Sequence, residues 1–303
     1  MSDVTPSDSS RNAPALPADI AEQYPFAPHY MSLPDGQRMH YIDEGQGPVI
    51  LMLHGNPTWS FMYRNLVRAL SPHFRCIVPD HIGCGLSDKP QKYAYTLSKH
   101  IENVAALLDG LGINNFNLIA HDWGGAIGSG IAGRRPEQVG RIMLMNTAAF
   151  RSMRIPFRIA TCKLPLFGSI LVRGFNAFAA CAVKMAVERP MAADVKRGYV
   201  YPYGNWHDRI ATLRFVQDVP LHRAHVSYAE LARVEDSLAS LVGKPMLICW
   251  GMHDWCFSPP FLAQWQRLFP AARVECFADA GHYLVEDEKE KICVLAQEFF
   301  KQS

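Results

Sequence analysis

The 303-residue chain is predicted to adopt an α/β fold: a mainly parallel sheet with helices on both faces, interrupted by a helical insertion. Three observations lead there. Short, wholly apolar runs such as VILML at 49–53 have no polar alternation, which suits strands buried on both faces. Such runs alternate with segments of helical spacing up to about residue 150, and the alternation resumes after about residue 237. The stretch between, 151–236, shows helical content and no convincing strand alternation.

The elements follow in order. Residues 1–24 hold Pro, Ser, Asp and Ala without periodicity and read as a flexible leader. Met39–Asp43 and Val49–Leu53 are strand-like, and the intervening Glu44-Gly45-Gln46-Gly47 predicts a hairpin or a neighbouring strand pair. Trp59–Leu70 has helical spacing, and Arg75–Val78 reads as a strand. Leu97–Leu111 places Ile101, Val104, Ala105, Leu107, Leu108 and Leu111 on a helical stripe. Phe116–Ala120 is a strand, Gly125–Arg134 a helix of small residues, and Ile142–Met145 a further strand. Pro156, Pro165, Pro190, Pro202 and Pro220 punctuate the helical insertion. The closing run is strand Pro245–Trp250, helix Pro259–Leu268, strand Val274–Phe277 and helix Lys289–Phe300. The organisation expected is therefore one catalytic domain, 25–150 with 237–303, and a cap, 151–236, over the C-terminal ends of the strands, where open α/β sheets bind ligands.

Composition excludes other classes. The chain is 49% hydrophobic and 19% charged, enough apolar content for a large core. A net charge of +2 without a block of like charges argues against nucleic acid as a partner. The eight cysteines never form C-x-x-C and sit mostly among apolar neighbours, so they read as buried free thiols rather than a disulfide or metal framework, and neither metal nor cofactor is expected. The N-terminus lacks the basic and apolar regions of a signal peptide, which predicts a cytoplasmic protein. The greasiest stretch, Ile155–Val187, is broken by Arg158, Lys163, Pro165, Arg173 and Lys184, too often for a transmembrane span. Residues 151–200 nevertheless hold nine Lys/Arg against Glu188 and Asp194. That bias reads first as the solvated face of a cap helix, with a membrane surface or an acidic partner as the alternative.

Chemistry concentrates in three loops. Ala120-His121-Asp122-Trp123-Gly124 follows the strand FNLIA and precedes a helix, the small-x-nucleophile-x-Gly pattern of a strained strand-turn-helix elbow. Asp122 at the elbow is already anionic, so it needs no base to attack a saturated electrophilic carbon and form an alkyl ester. Leu53-His54-Gly55-Asn56-Pro57-Thr58-Trp59 follows an earlier buried strand and is placed to supply a backbone N–H which, with that of Trp123, forms an oxyanion hole. The Asn56 amide and the Trp123 indole are neutral donors that can hold a departing anion. Asp279-Ala280-Gly281-His282-Tyr283 follows the last strand and offers His282 as general base, while Asp254, after the strand ending at Trp250, is the acid that orients it. A competing acid position after Met145 is occupied by Asn146, and an amide cannot serve. His54, His121 and His253 read as makers of loop hydrogen bonds.

With these residues the chain resembles the haloalkane dehalogenase family of α/β-hydrolases from about residue 25 onward, on HGNPTW and HDWGG together. The resemblance implies an eight-stranded, mostly parallel sheet with the cap inserted after the sixth strand. It implies Asp122 as nucleophile, His282 as base, Asp254 as acid, and Asn56 with Trp123 as the halide-holding pair, an arrangement similar to the third dehalogenase subfamily. The chain is also similar to the β-lactone decarboxylases of bacterial long-chain olefin synthesis, through VPDHIGCGLSDKP and the cap segments RGFNAF, PMAADVKRGYVYPYGNWHDRI and RFVQDVPL. The expected reaction is dehalogenation of a small hydrophobic substrate with water, with cis-β-lactone decarboxylation as a nearly equal alternative. Self-association or assembly with olefin-pathway enzymes is a further expectation. An epoxide hydrolase would need acids among Tyr199, Tyr201, Tyr203 and Tyr228, a fluoroacetate dehalogenase would need Arg where Trp123 stands, and a non-enzymatic receptor would not need all three triad residue types.

Overall fold

A computed structural model describes residues 15–164 and 166–302. Eight strands form one sheet: β1 (His29–Ser32), β2 (Arg38–Glu44), β3 (Val49–Leu53), β4 (Arg75–Pro79), β5 (Phe116–Asp122), β6 (Val139–Thr147), β7 (Met246–Gly251) and β8 (Arg273–Phe277). The spatial order is β1-β2-β4-β3-β5-β6-β7-β8, antiparallel at β1-β2 and β2-β4 and parallel from β4 to β8. The chain moves outward from β3 to β4 and then back across to β5, so the order reverses beside β3. The loops leaving β3 and β5 therefore flank a crevice at the switch point.

Alternation within the strands builds two cores. Leu51 and Leu53 of β3, Leu118 and Ala120 of β5, and Ile248 and Trp250 of β7 pack on one face. Their neighbours Ile50, Met52, Ile119, Leu247 and Cys249 pack on the other. Because side chains of successive strand residues point to opposite faces, a sheet covered on both sides needs an apolar residue at every position, as VILML supplies.

The helices outside the insertion are α1 (Ala18–Gln23), α2 (Arg64–Leu70), α3 (Leu97–Gly110) and α4 (Trp123–Arg134). Thr96 caps α3 by accepting from the Lys99 N–H. Gly112, at φ 65°, follows the helix in the left-handed conformation that a glycine permits. Among the described residues no strand lies between β6 and β7. That stretch holds α5 (Phe157–Cys162), α6 (Phe167–Ser169), a π-helical turn at Ile170–Gly174, α7 (Ala177–Met185), α8 (Ala193–Val200), α9 (Ile210–Gln217) and α10 (Tyr228–Ser237). The sheet domain closes with α11 (Pro259–Leu268), α12 (Leu284–Asp287) and α13 (Lys289–Lys301). No described helix is long and apolar enough to cross a membrane.

Three expectations need correction. Residues 1–14 of the expected flexible leader lie outside the described residues, but residues 18–23 form α1, with Ile20 and Tyr24 buried. Tyr24 packs on Trp59 and Phe61 and its hydroxyl meets Ser60 Oγ, so aromatic burial orders a segment whose composition looks like a tail. The hairpin forms between β1 and β2, not between β2 and β3, because β4 lies between that pair. The eight cysteines are free, but Cys181 and Cys276 are exposed and Cys256 and Cys293 half-buried. Apart from these three, α10 packs on the sheet domain, where Gly130 and Gly133 of α4 let Val234 and Ser237 approach closely.

Candidate active site

The elbow is built by glycines and strain. Asp122 sits at φ 52°, a conformation that L residues rarely adopt, and projects from the end of β5 as α4 begins. A Cβ on Gly55 would lie 1.9 Å from Asp122 Oδ1, and one on Gly124 would lie 1.9 Å from the Leu53 carbonyl oxygen. The two loops can therefore approach this closely only because those positions lack side chains. Thr147 Oγ1 donates to the Asp122 carbonyl, tying the elbow to β6.

The backbone N–H of Asn56 donates to Asp122 Oδ1 at 2.7 Å, and the N–H of Trp123 also supports this carboxylate. One oxygen is thereby fixed, while Oδ2 lies 3.7 Å from His282 Nε2. Burial is the largest influence on Asp122 and raises its pKa; the nearby His282 charge and the two N–H groups offset this in part. His282 Nδ1 donates to Asp254 Oδ2 at 2.8 Å. Burial disfavours the imidazolium, but attraction to Asp254, the hydrogen bond to it and the Asp122 charge together outweigh burial, so the His282 pKa is raised.

Asp254 is saturated with donors. Its Oδ1 accepts from the N–H groups of Cys256 and Phe257, and its Oδ2 accepts from Asn146 Nδ2 at 2.9 Å as well as from His282. Asn146, buried at φ 32°, also receives the Gly251 N–H and donates to the Gly251 carbonyl. The amide that could not replace the acid thus holds the acid and strand β7 in place. Sequence reasoning missed this supporting residue, whose partner lies 108 positions away.

The remaining loop histidines are spoken for. His54 donates from Nδ1 to the Gly55 carbonyl and accepts the His81 N–H at Nε2, and burial lowers its pKa. His121 donates from Nε2 to the His282 carbonyl, with a pKa driven well below its ordinary value by burial and by the neighbouring His282. His253 instead pairs through its ring with Glu188 at 3.3 Å, joining the loop after β7 to the insertion.

Asp122, His282, Asn56 and Trp123 all border one cavity of about 410 Å³, and Asp254 stands behind His282. The walls are apolar, from Phe150, Phe178, Ala182, Val216 and Phe261 among others. Asn56 donates through Nδ2 to the Thr212 carbonyl at 3.1 Å, which anchors the amide and leaves its second N–H available. The insertion tyrosines stay away from the cavity: Tyr199 donates to Glu286 and Tyr203 to the Thr58 carbonyl, and neither Tyr201 nor Tyr228 lines it. The four insertion tyrosines that an epoxide hydrolase reading would use are therefore not among the residues lining the cavity.

The alpha/beta hydrolase fold family matches residues 48–289. A cis-3-alkyl-4-alkyloxetan-2-one decarboxylase from Shewanella oneidensis is 45% identical over 286 residues, spanning 92% of this chain and 90% of its own. Haloalkane dehalogenase 2 of Mycobacterium tuberculosis is 33% identical over 284 residues, spanning 91% and 96%. The crystal structure of haloalkane dehalogenase DbeA from Bradyrhizobium elkani superimposes with a TM-score of 0.82 at 28% identity, covering 90% of this chain and 97% of that one.

Proposed function

Since the chain belongs to the alpha/beta hydrolase fold family, in the branch that holds haloalkane dehalogenases and oxetanone decarboxylases, we propose that it is a decarboxylase of cis-3,4-dialkyl β-lactones. The observation that carries this reading is the 45% identity to the Shewanella enzyme along nine-tenths of both chains, against 33% to the dehalogenase. This reverses the order in which the motifs alone ranked the two reactions. The apolar cavity suits a substrate with alkyl arms and one polar ring.

In the proposed reaction, Asp122 Oδ2 attacks the ring carbon that bears oxygen, from the face opposite that bond. The carbon–oxygen bond breaks, the ring oxygen leaves as part of a carboxylate, and an alkyl ester of Asp122 forms. Donors on Asn56 and Trp123 hold the developing negative charge. The electrons of the bond to the carboxylate then form the alkene as the ester oxygen departs, releasing carbon dioxide and restoring Asp122. Inversion at the attacked carbon followed by anti departure leaves both alkyl groups on one side, so a cis-lactone yields a cis-alkene. No water is consumed, and His282 serves here as charge partner to Asp122.

Dehalogenation remains the second reading, favoured by two neutral donors at the cavity. There the same ester has no carboxylate to lose, and His282 must activate water to hydrolyse it. His282→Ala separates the two. With a bromoalkane the variant should stop after one turnover and carry a mass increase on the Asp122 peptide, while with a cis-β-lactone it should keep forming alkene within about tenfold of the parent rate. Accumulation of ester from the lactone, or a wild-type enzyme that releases bromide faster than it makes alkene, would reject the decarboxylase reading.

A further inference from the structure

From Ser152 to Val187 the chain contains five Lys/Arg residues and no carboxylate. The same stretch exposes large apolar side chains: Phe157 and Leu166 are each 81% exposed, Phe175 and Met153 each 74%, and Phe167 and Ile170 at least half. Elsewhere among the described residues, exposed large apolar groups are scattered singly, as at Val226, Val242 and Val294. A concentration of this kind marks a contact surface rather than ordinary surface variation. Among the described residues Arg154, Arg158 and Lys184 have no carboxylate partner, so their charges are not spent within the chain.

This surface reaches the rim of the catalytic cavity. Arg154, Phe157 and Arg158 line the cavity while standing largely exposed, which places its mouth among the apolar and basic groups. Inward from the rim, Cys162 and Val172 pack with Leu213 and Val216 into a small apolar cluster, and Lys163 donates to the carbonyls of Val216, Gln217 and Val219. The rim is thus pinned to α9, so it is held as a formed surface.

We propose that the face formed by α5, α6, the π-helical turn and α7 docks on an anionic lipid surface, with the cavity mouth opening onto the bilayer. Apolar groups would enter the headgroup boundary while Arg154, Arg158 and Lys184 pair with lipid charges. An acidic protein groove would satisfy the charges equally well. The lipid is favoured because the exposed apolar face reaches an apolar cavity at Phe157, between Arg154 and Arg158, and a substrate dissolved in the bilayer would enter there without crossing water. The inference goes beyond the proposed reaction and does not depend on which electrophile Asp122 attacks.

The test is flotation of the full-length protein with vesicles of phosphatidylcholine alone or with added phosphatidylglycerol. Binding should require phosphatidylglycerol and weaken with salt. Lys184→Glu should weaken it at least about fivefold, the effect of one lost charge near such a surface. The triple variant Leu166→Asn, Phe167→Ser, Ile170→Ser should abolish it. A native circular dichroism spectrum of the triple variant separates lost docking from lost folding, and Lys184→Glu tests the charge contribution independently. Equal binding to neutral vesicles, no binding to either, or binding unaltered in both variants would overturn the proposal. So would a change in the protein's own oligomeric state in the triple variant without an effect on flotation, which would identify a protein interface instead.

Discussion

At the scale of single residues the candidate site rests on a carboxylate with one oxygen held and one free. The N–H of Asn56 fixes Asp122 Oδ1, the N–H of Trp123 also supports the carboxylate, and Oδ2 faces His282. Both titrations bear on activity. The His282 pKa is raised above its ordinary 6.5 in the free enzyme, which moves formation of the neutral base needed for water activation to higher pH. Hydrolysis of an Asp122 ester should increase with pH as His282 loses its proton, measured by single-turnover kinetics with a bromoalkane. The acid limb reflects Asp122, whose raised pKa should place loss of nucleophile above the ordinary 3.8. A rate of ester hydrolysis that does not change with pH would remove His282 as the base. Asp122, His282, Asp254, Asn56 and Trp123 were legible because each follows a strand-like run with its own short pattern. Asn146 was legible only as an unsuitable acid, since a hydrogen bond across 108 positions leaves no local mark.

At the scale of elements the strands and helices of the sheet domain followed their sequence patterns, with ends shifted by one to a few residues, except that β1, α1 and the short α12 had no pattern that located them. The helix α4 is the instructive case: its glycines weaken a helix in isolation, yet they let it lie against β3, β6, α3 and α10. Gly124→Ala should be strongly destabilising, by about 3 kcal/mol, because the added carbon must displace backbone rather than a flexible side chain. Chemical denaturation would measure it, and a loss under about 1 kcal/mol would show that the loop after β3 yields easily. Strand pairing was less legible than strand presence. The turn residues Gly45 and Gly47 suggested that β2 returns on β3, but both adopt positive φ to carry the chain past β4. A turn signal reports a change of direction and contains no information about a later strand that takes the place between.

At the scale of the whole molecule the insertion and the sheet domain are joined by contacts far apart in sequence. Helix α1 is one strap: Arg197 of α8 pairs with Asp19, Gln23 donates to Asp194 of α8, and Tyr24 packs under Trp59, whose indole donates to the Gly198 carbonyl. Tyr24→Ala should cost about 3 kcal/mol, from lost aromatic burial and an incompletely closed cavity, and thermal unfolding would register it. The residue lies outside the catalytic cavity, so kcat at a temperature where the protein is folded should stay near the parent value. A fall in kcat with unchanged stability would show that the strap positions the insertion. By itself the sequence determined the fold class, the order of elements, and the residue types in the three loops that carry the chemistry, because these depend on local periodicity and short turn patterns. Only the tertiary structure decided that α1 is ordered, that β4 separates β2 from β3, that Asn146 supports Asp254, and that apolar groups of the insertion stay exposed on a face that reaches the cavity. Each of those is an outcome of packing between segments from about thirty to well over a hundred places apart, and no local pattern encodes it.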